Sequence, residues 1–253
     1  MILAFVGWLM SERKVSSSSI SQYMAGLRTV HLRSGVMPGN LRPDMVSSII
    51  KGKAHEEQML PDKAPRLAMT LTVLKLLKHF ITESALLHEE KRLLWVVSCM
   101  AFHGSFRIHE LLSREAGRFD PTTTLLGCGV RLVKVVVGGV SEEILSIRLK
   151  CPKEDRVGEG VTVELFSTGT FSCPVMAWKK WKAVSRLAAV PSKPVFRLPS
   201  GACLTGAAFN IRVKGFLGKV INYNEKKYLS HSFRAGEVWF GLFQVCLVWF
   251  GLV

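Results

Sequence analysis

The stretch Leu229-Ser230-His231-Ser232-Phe233-Arg234-Ala235-Gly236 decides how the rest of this chain is interpreted. His231 and Arg234 stand three residues apart, which places them at neighbouring positions on a helix surface. The pair combines an imidazole that can transfer a proton with a planar guanidinium, and this combination suits a phosphodiester. The simpler alternative is that both residues lie on the solvent-exposed face of a helix. The rest of the chain is needed to choose between these two interpretations.

Composition favours a globular protein with a polyanionic partner. The 253 residues are 48% hydrophobic and 21% charged, which is enough to build a core. The chain carries 34 Lys and Arg against 19 Asp and Glu, a net charge of +15. Residues 171–253 hold 12 basic and 2 acidic side chains, so +10 of that charge lies around the His-x-x-Arg pair. Nucleic acid is therefore a better candidate partner than a neutral metabolite.

Cysteine spacing and apolar segments exclude several classes of protein. The six cysteines lie more than twenty residues apart, so we expect no metal site, no cofactor and no disulfide framework. The apolar residues 1–10 have no preceding basic segment and no cleavage site, which argues against a signal peptide. The uncharged tail 238–253 is shorter than the roughly 18–20 residues that span a bilayer, so we expect no membrane association.

The apolar periodicity predicts a helical N-terminal part. We expect a helix over residues 1–10, a second that opens at Ser19 and ends at Gly35, and a short third that begins at Pro43 and closes near Gly52. The apolar side of the second helix would consist of Ile20, Tyr23, Leu27 and Val30. The polar stretch 53–66 contains prolines, and we place an interdomain linker at 59–66.

Beyond the linker the pattern predicts an α+β fold, mainly α with a small antiparallel β-sheet. Helical spacing marks residues 71–81 and 93–100, and further helices begin at Pro174 and Thr205. Strand patterns cover 129–137, 144–149 and 161–166, and turns lie at 138–139 and 151–160.

Three further stretches carry basic residues that could contact nucleic acid. Gly104 breaks a helix, Arg107 follows, and Glu110 stands three residues on, where it can brace the guanidinium or form an ordinary surface ion pair. The second turn of the sheet carries Lys150, Lys153 and Arg156, which could lie along a nucleic-acid groove or on a plain solvated edge. Lys179 and Lys180 lie between Trp178 and Trp181 and could face DNA, although the tryptophans fit a core better.

At these residues the chain resembles the tyrosine recombinase (phage-integrase) family, particularly the versions of eukaryotic mobile elements. Residues 1–58 resemble the helical, SAM-like core-binding domain, which includes Arg28, and residues 67–236 resemble the catalytic domain. The stretches Phe102–Leu111 and His231–Gly236 are similar to the two arginine boxes of that family. Residues 237–253 depart from the family pattern, and the chain resembles a fragment that is incomplete at both ends.

The resemblance implies roles for individual residues. Arg107 and Arg234 would clamp the phosphate, Glu110 would brace Arg107, and His231 would complete the second box. Lys153 would protonate the leaving 5′ oxygen, with Lys150 as the fallback assignment. The remaining DNA contacts would come from Arg28, Lys150, Arg156, Lys179 and Lys180.

The family's nucleophilic tyrosine has no counterpart here, because Tyr23, Tyr223 and Tyr228 all precede Arg234. The resemblance therefore implies a protein that binds double-stranded DNA and is catalytically incomplete, linked to DNA recombination and integration, able to self-associate on DNA and located in the nucleus. One alternative is an active recombinase whose true product extends past residue 236. The other is a relic that uses its apolar tail to bind protein or membrane.

Overall fold

Two compact units make up the chain, Met1–Pro65 and Arg66–Val253. The computed structural model describes residues 2–35, 43–59, 67–137, 139–150, 159–185, 190–219 and 232–233. The predicted fold class, mainly α with a small antiparallel sheet, is confirmed. The first unit contains α1 (Ile2–Ser11), α2 (Ser17–Arg33) and α3 (Pro43–Met59). The second contains α4 (Leu71–Glu83), α5 (His88–His103), α6 (Ile108–Leu111), β1 (Val130–Val137), β2 (Val140–Leu149), β3 (Val161–Leu165), α7 (Pro174–Val184) and α8 (Gly206–Leu217).

The first unit packs its three helices around a small apolar core. Val6, Leu9, Ile20 and Val46 are buried there. The start of α2 differs from the prediction, because the Ser16 hydroxyl, and not that of Ser19, caps it by accepting a hydrogen bond from the Ser19 amide at 3.3 Å. The predicted apolar side of α2 was also wrong in part. Tyr23 and Val30 are 53% and 61% exposed, since three helices cover only the part of α2 near Ile20.

The third helix continues through Gly52 to Met59, so its predicted end near Gly52 was wrong. A contact distant in sequence stabilises the extra turns. The Glu57 carboxylate accepts hydrogen bonds from the Ser17 amide at 3.0 Å and from the Ser17 hydroxyl at 2.7 Å. These bonds offset the roughly 1 kcal/mol that a glycine costs inside a helix. The rest of the predicted linker, residues 60–66, lies outside the described residues.

The core of the second unit surrounds α5, whose residues from Leu93 to Phe102 are all buried. Helix α4 packs against α5 and α8, and α7 packs along α5. Trp178 and Trp181 are 3% and 0% exposed, which confirms that they belong to the core. This arrangement fixes both ends of α5 within the fold.

The three strands form one antiparallel sheet in the order β1-β2-β3. Leu145 of β2 pairs with Leu165 of β3, and Leu145, Ile147 and Leu149 face the core at alternate positions. Gly160, the residue before β3, has φ +76°, and a Cβ there would lie 2.6 Å from the Leu149 carbonyl oxygen, so its close approach to the end of β2 needs glycine. Lys150 directly follows Leu149, the last residue of β2.

Candidate nucleic-acid interface

The turn after α5 holds Arg107 in a defined place. Gly104 ends α5, and a Cβ there would lie 2.2 Å from the Phe106 ring, so this close approach needs glycine. Ser105 follows with φ 48°, a left-handed conformation that is uncommon for a residue with a side chain. Phe106 is buried. The chain then enters α6, and Arg107 immediately precedes its first residue.

Glu110 holds Arg107 by two hydrogen bonds, one to the backbone and one to the side chain. The Arg107 amide donates to Glu110 Oε2 at 2.8 Å, and Arg107 Nη1 donates to Glu110 Oε1 at 3.2 Å. The side chains are 18% and 11% exposed. Because this ion pair is largely shielded from water, it restricts the guanidinium more than an exposed pair would.

The imidazole of His103 lies at the last residue of α5, close to this turn. Its Nε2 is 3.1 Å from the Ser172 hydroxyl oxygen. Burial lowers the pKa of His103, and a hydrogen bond with the Ser172 backbone opposes that shift only in part. His103 therefore favours its neutral form and adds no charge beside Arg107 near neutral pH.

Of residues 231–236, the second stretch that resembles an arginine box, the structure describes Ser232 and Phe233. His231 and Arg234 lie outside the described residues. The Ser232 carbonyl oxygen accepts a hydrogen bond from the Met69 amide at 2.7 Å. Phe233 is fully buried, and its ring centroid lies 5.9 Å from that of Phe209 on α8. The middle of this box is thus anchored in the core of the second unit.

Helix α8 contacts residues that adjoin Arg107 and Arg234 in the sequence. At its start, a Cβ on Gly206 would lie 3.0 Å from Ile108 Cγ2, so α8 approaches the residue that follows Arg107. Phe209, one turn further along α8, contacts Phe233. Residues adjacent to Arg107 and to Arg234 in sequence therefore belong to the same part of the core, although 127 positions separate the two arginines.

Of the three basic residues predicted at the hairpin, the structure describes only Lys150. Lys150 is exposed, and its Nζ donates to the Pro121 carbonyl oxygen at 3.0 Å. Lys153 and Arg156 lie outside the described residues. The neighbouring Arg148, which no motif marked, donates through Nη2 to the Glu159 carbonyl oxygen at 3.0 Å across the hairpin.

The other predicted DNA contacts differ in their surroundings. Lys179 on α7 forms an ion pair with Glu143 on β2, which neutralises its charge locally. Lys180, the next residue, is exposed. Arg28 is exposed on α2 of the first unit, where it lines an open groove of about 450 Å³ together with Lys51.

Two cations that no sequence motif marked, Lys78 on α4 and Arg92 on α5, line a cavity together with Lys180. Only the packing of three helices brings them together, so no spacing in the sequence could have revealed the group. Within the described ranges no cluster of three or more His, Cys, Asp or Glu could hold a metal ion. None of the helices in those ranges is both long and apolar enough to cross a bilayer. Tyr23 is exposed on α2, and Tyr223 and Tyr228 lie outside those ranges.

Three solved recombinase complexes with Holliday junctions share some structural similarity with this chain, each at 14% sequence identity. A Flpe mutant bound to a DNA Holliday junction aligns with a TM-score of 0.46 over 83% of this chain and 52% of its own. A second Flpe complex gives 0.45 over 78% and 48%, and an FLP recombinase complex gives 0.44 over 82% and 51%. The chain thus spans about half the length of the recombinase chains it matches. No protein-family model and no curated protein matches it.

Proposed function

We propose that this chain binds double-stranded DNA and clamps a backbone phosphate with Arg107, in the manner of a tyrosine recombinase. The observation that carries the proposal is the largely buried Arg107–Glu110 pair at the start of α6. A guanidinium presents its donors in a rigid planar fork, so a carboxylate can hold one edge while another edge binds phosphate.

The second arginine box supports the same site. The contacts of Ile108 with Gly206 and of Phe209 with Phe233 bring the sequence neighbours of Arg107 and Arg234 into one core. Two arginines and His231 around one phosphodiester would stabilise the negative charge of its nonbridging oxygens. Lys150 at the base of the hairpin and Lys153 beyond it would contribute further positive charge along the duplex.

The proposal covers binding without strand cleavage. A phosphotyrosyl intermediate requires a tyrosine nucleophile, and no tyrosine in this sequence follows Arg234, where the family pattern has it. We include in the same proposal a role in DNA recombination or integration, an origin in a mobile element, self-association on DNA and a nuclear location. A longer product with a downstream tyrosine would instead be an active recombinase.

The test compares Arg107→Gln with Arg212→Gln in the full chain. Arg212 on α8 forms a similarly shielded pair with Glu90, with Nη2 and Oε1 2.6 Å apart, so both variants break a largely buried arginine–glutamate pair. Fluorescence anisotropy with a labelled duplex, at several salt concentrations, measures the dissociation constant. We expect R107Q to weaken binding about tenfold. It should also reduce the slope of log affinity against log salt concentration by about 0.9, the effect of one lost phosphate contact.

The matched control decides the outcome. R212Q should bind DNA within about twofold of the parent chain when equal amounts of folded protein are compared. Affinity that does not change with salt, or an equal loss in both variants, contradicts the proposal. A covalent protein–DNA adduct that resists denaturation would contradict binding without cleavage.

A further inference from the structure

A cavity of about 260 Å³ in the second unit collects positive charge from three helices. Lys78 on α4, Arg92 on α5 and Lys180 on α7 all line it. Trp95 and Phe171 supply its aromatic wall, and no acidic side chain is among its lining residues. The cavity therefore has the charge and the ring surface of a site for an anion.

Among the described residues, the three cations of the cavity have no acidic partner, whereas three other cations of this unit do. Arg107, Lys179 and Arg212 each have a carboxylate within 4.0 Å. Lys78, Arg92 and Lys180 have none among the residues that the structure describes. Like charges that converge on one cavity repel each other, and a bound anion would relieve that repulsion.

The aromatic wall keeps one of the cations at the cavity. Trp95 and Phe171 stack with ring centroids 6.3 Å apart, and Lys78 Nζ lies 5.3 Å and 5.5 Å from the two centroids. The same ammonium group donates to the Phe171 carbonyl oxygen at 3.4 Å. Cation–π contacts restrict a lysine without neutralising it, so the charge of Lys78 stays available to an anion.

One end of the cavity meets the start of α7 at Cys173. Burial raises the pKa of this thiol, but hydrogen bonds from Ser167 and from backbone amides, including that of Met176, lower it below its ordinary value. Backbone amides at a helix start favour negative charge. This environment agrees with the side-chain cations on the opposite walls.

We infer that the cavity lined by Lys78, Arg92, Lys180 and Phe171 binds a phosphate group at a site separate from Arg107. Arg92 lies eleven residues before the end of α5, about 16 Å along the helix, and Arg107 is not among the residues that line the cavity. The phosphate could belong to a free nucleotide or to a nucleic-acid backbone. The inference does not depend on the proposed role of Arg107.

The test measures phosphate binding by calorimetry on the full chain, with inorganic pyrophosphate as the probe. Arg92→Gln and Lys180→Gln should each weaken binding about tenfold. Lys182→Gln is the matched control for Lys180→Gln, because Lys182 is exposed on the same helix and lies outside the cavity. Lys75→Gln is a second control, because Lys75 is exposed on α4 and lies outside the cavity. Both controls should change affinity less than about twofold.

Two further measurements identify the source of the phosphate and separate this site from the other. A nucleoside diphosphate that binds more tightly than pyrophosphate, with the same dependence on Arg92 and Lys180, identifies a nucleotide. Weaker duplex binding in the same two variants identifies the nucleic-acid backbone. R107Q should leave pyrophosphate affinity unchanged. The inference is overturned if the parent chain does not bind pyrophosphate, or if the controls lose as much affinity as the cavity variants.

Discussion

Replacing Glu110 with glutamine should weaken DNA binding, although the change removes a negative charge from a site proposed to contact phosphate. Glutamine keeps an oxygen that can accept the Arg107 amide, the 2.8 Å bond that starts α6. It loses the ionic hydrogen bond to Nη1 at 3.2 Å, which holds the guanidinium. The fold should therefore persist while the orientation of Arg107 becomes less restricted.

The two effects of this substitution have opposite signs and different sizes. A carboxylate about 7 Å from a phosphate, screened over a Debye length of about 8 Å, repels it by about 0.3 kcal/mol, so its removal alone would tighten binding less than twofold. The ionic hydrogen bond that is lost joins the Arg107 and Glu110 side chains, which are 18% and 11% exposed. It contributes about 1 kcal/mol to holding the guanidinium in place. The net loss of about 0.7 kcal/mol should raise the dissociation constant about threefold.

A double-mutant cycle separates positioning from simple charge. The dissociation constants of the parent chain, E110Q, R107Q and the double variant are measured on one duplex at one salt concentration. If Glu110 acts through Arg107, E110Q weakens binding in the parent chain and has no such effect in the R107Q background. Tighter binding by E110Q, or the same loss in both backgrounds, would refute the reasoning.

Three further substitutions test the fold. Gly104→Ala should lower the free energy of unfolding by about 1–3 kcal/mol in urea denaturation, because the new Cβ would overlap the Phe106 ring; an unchanged midpoint would contradict this packing. The pKa of His103 is lowered in the folded protein, so the unfolded chain binds the proton first, and stability should fall as pH drops through about 6.5. A His103→Gln variant should show a shallower fall over that range, and an identical pH profile would exclude the effect. Glu57→Ala should lower hydrogen-exchange protection in the first turn of α2 about tenfold, whereas Glu56→Ala, at a 71% exposed side chain, should not.

Local chemistry explains which parts of the fold could be predicted from the sequence. Gly104 marked the end of α5 because glycine commonly ends helices, and Gly139 lies in the turn of the β1–β2 hairpin with φ +82°. The Arg107–Glu110 pair followed from its three-residue spacing, since such residues are neighbours at a helix start. Each of these predictions needed only residues close together in the sequence.

The features that the sequence did not predict depend on residues that lie far apart in the sequence. Helix α3 passes Gly52 because Glu57 binds Ser17, forty positions away. The ion pair of Lys179 with Glu143 joins α7 to β2 across 36 positions. Composition alone therefore could not predict that a carboxylate neutralises this lysine. The cavity cations come from three helices and share no motif. Long-range packing decides all three cases, and hydrophobic periodicity carries no information about which side chains meet.

The partners of the cations say more about their roles than the net charge does. Arg212 on α8 pairs with Glu90 near the start of α5, so its ion pair joins two helices and stabilises their packing. Arg107 pairs with a residue three positions away, so the bond joins no separate elements and chiefly fixes the direction of the guanidinium. An ion pair that orients a side chain without linking helices contributes less to tertiary structure than one that joins two helices, which agrees with the role proposed for Arg107 at a phosphate. This difference makes Arg212 a suitable control for Arg107, because the two pairs are similarly shielded and differ mainly in what they connect.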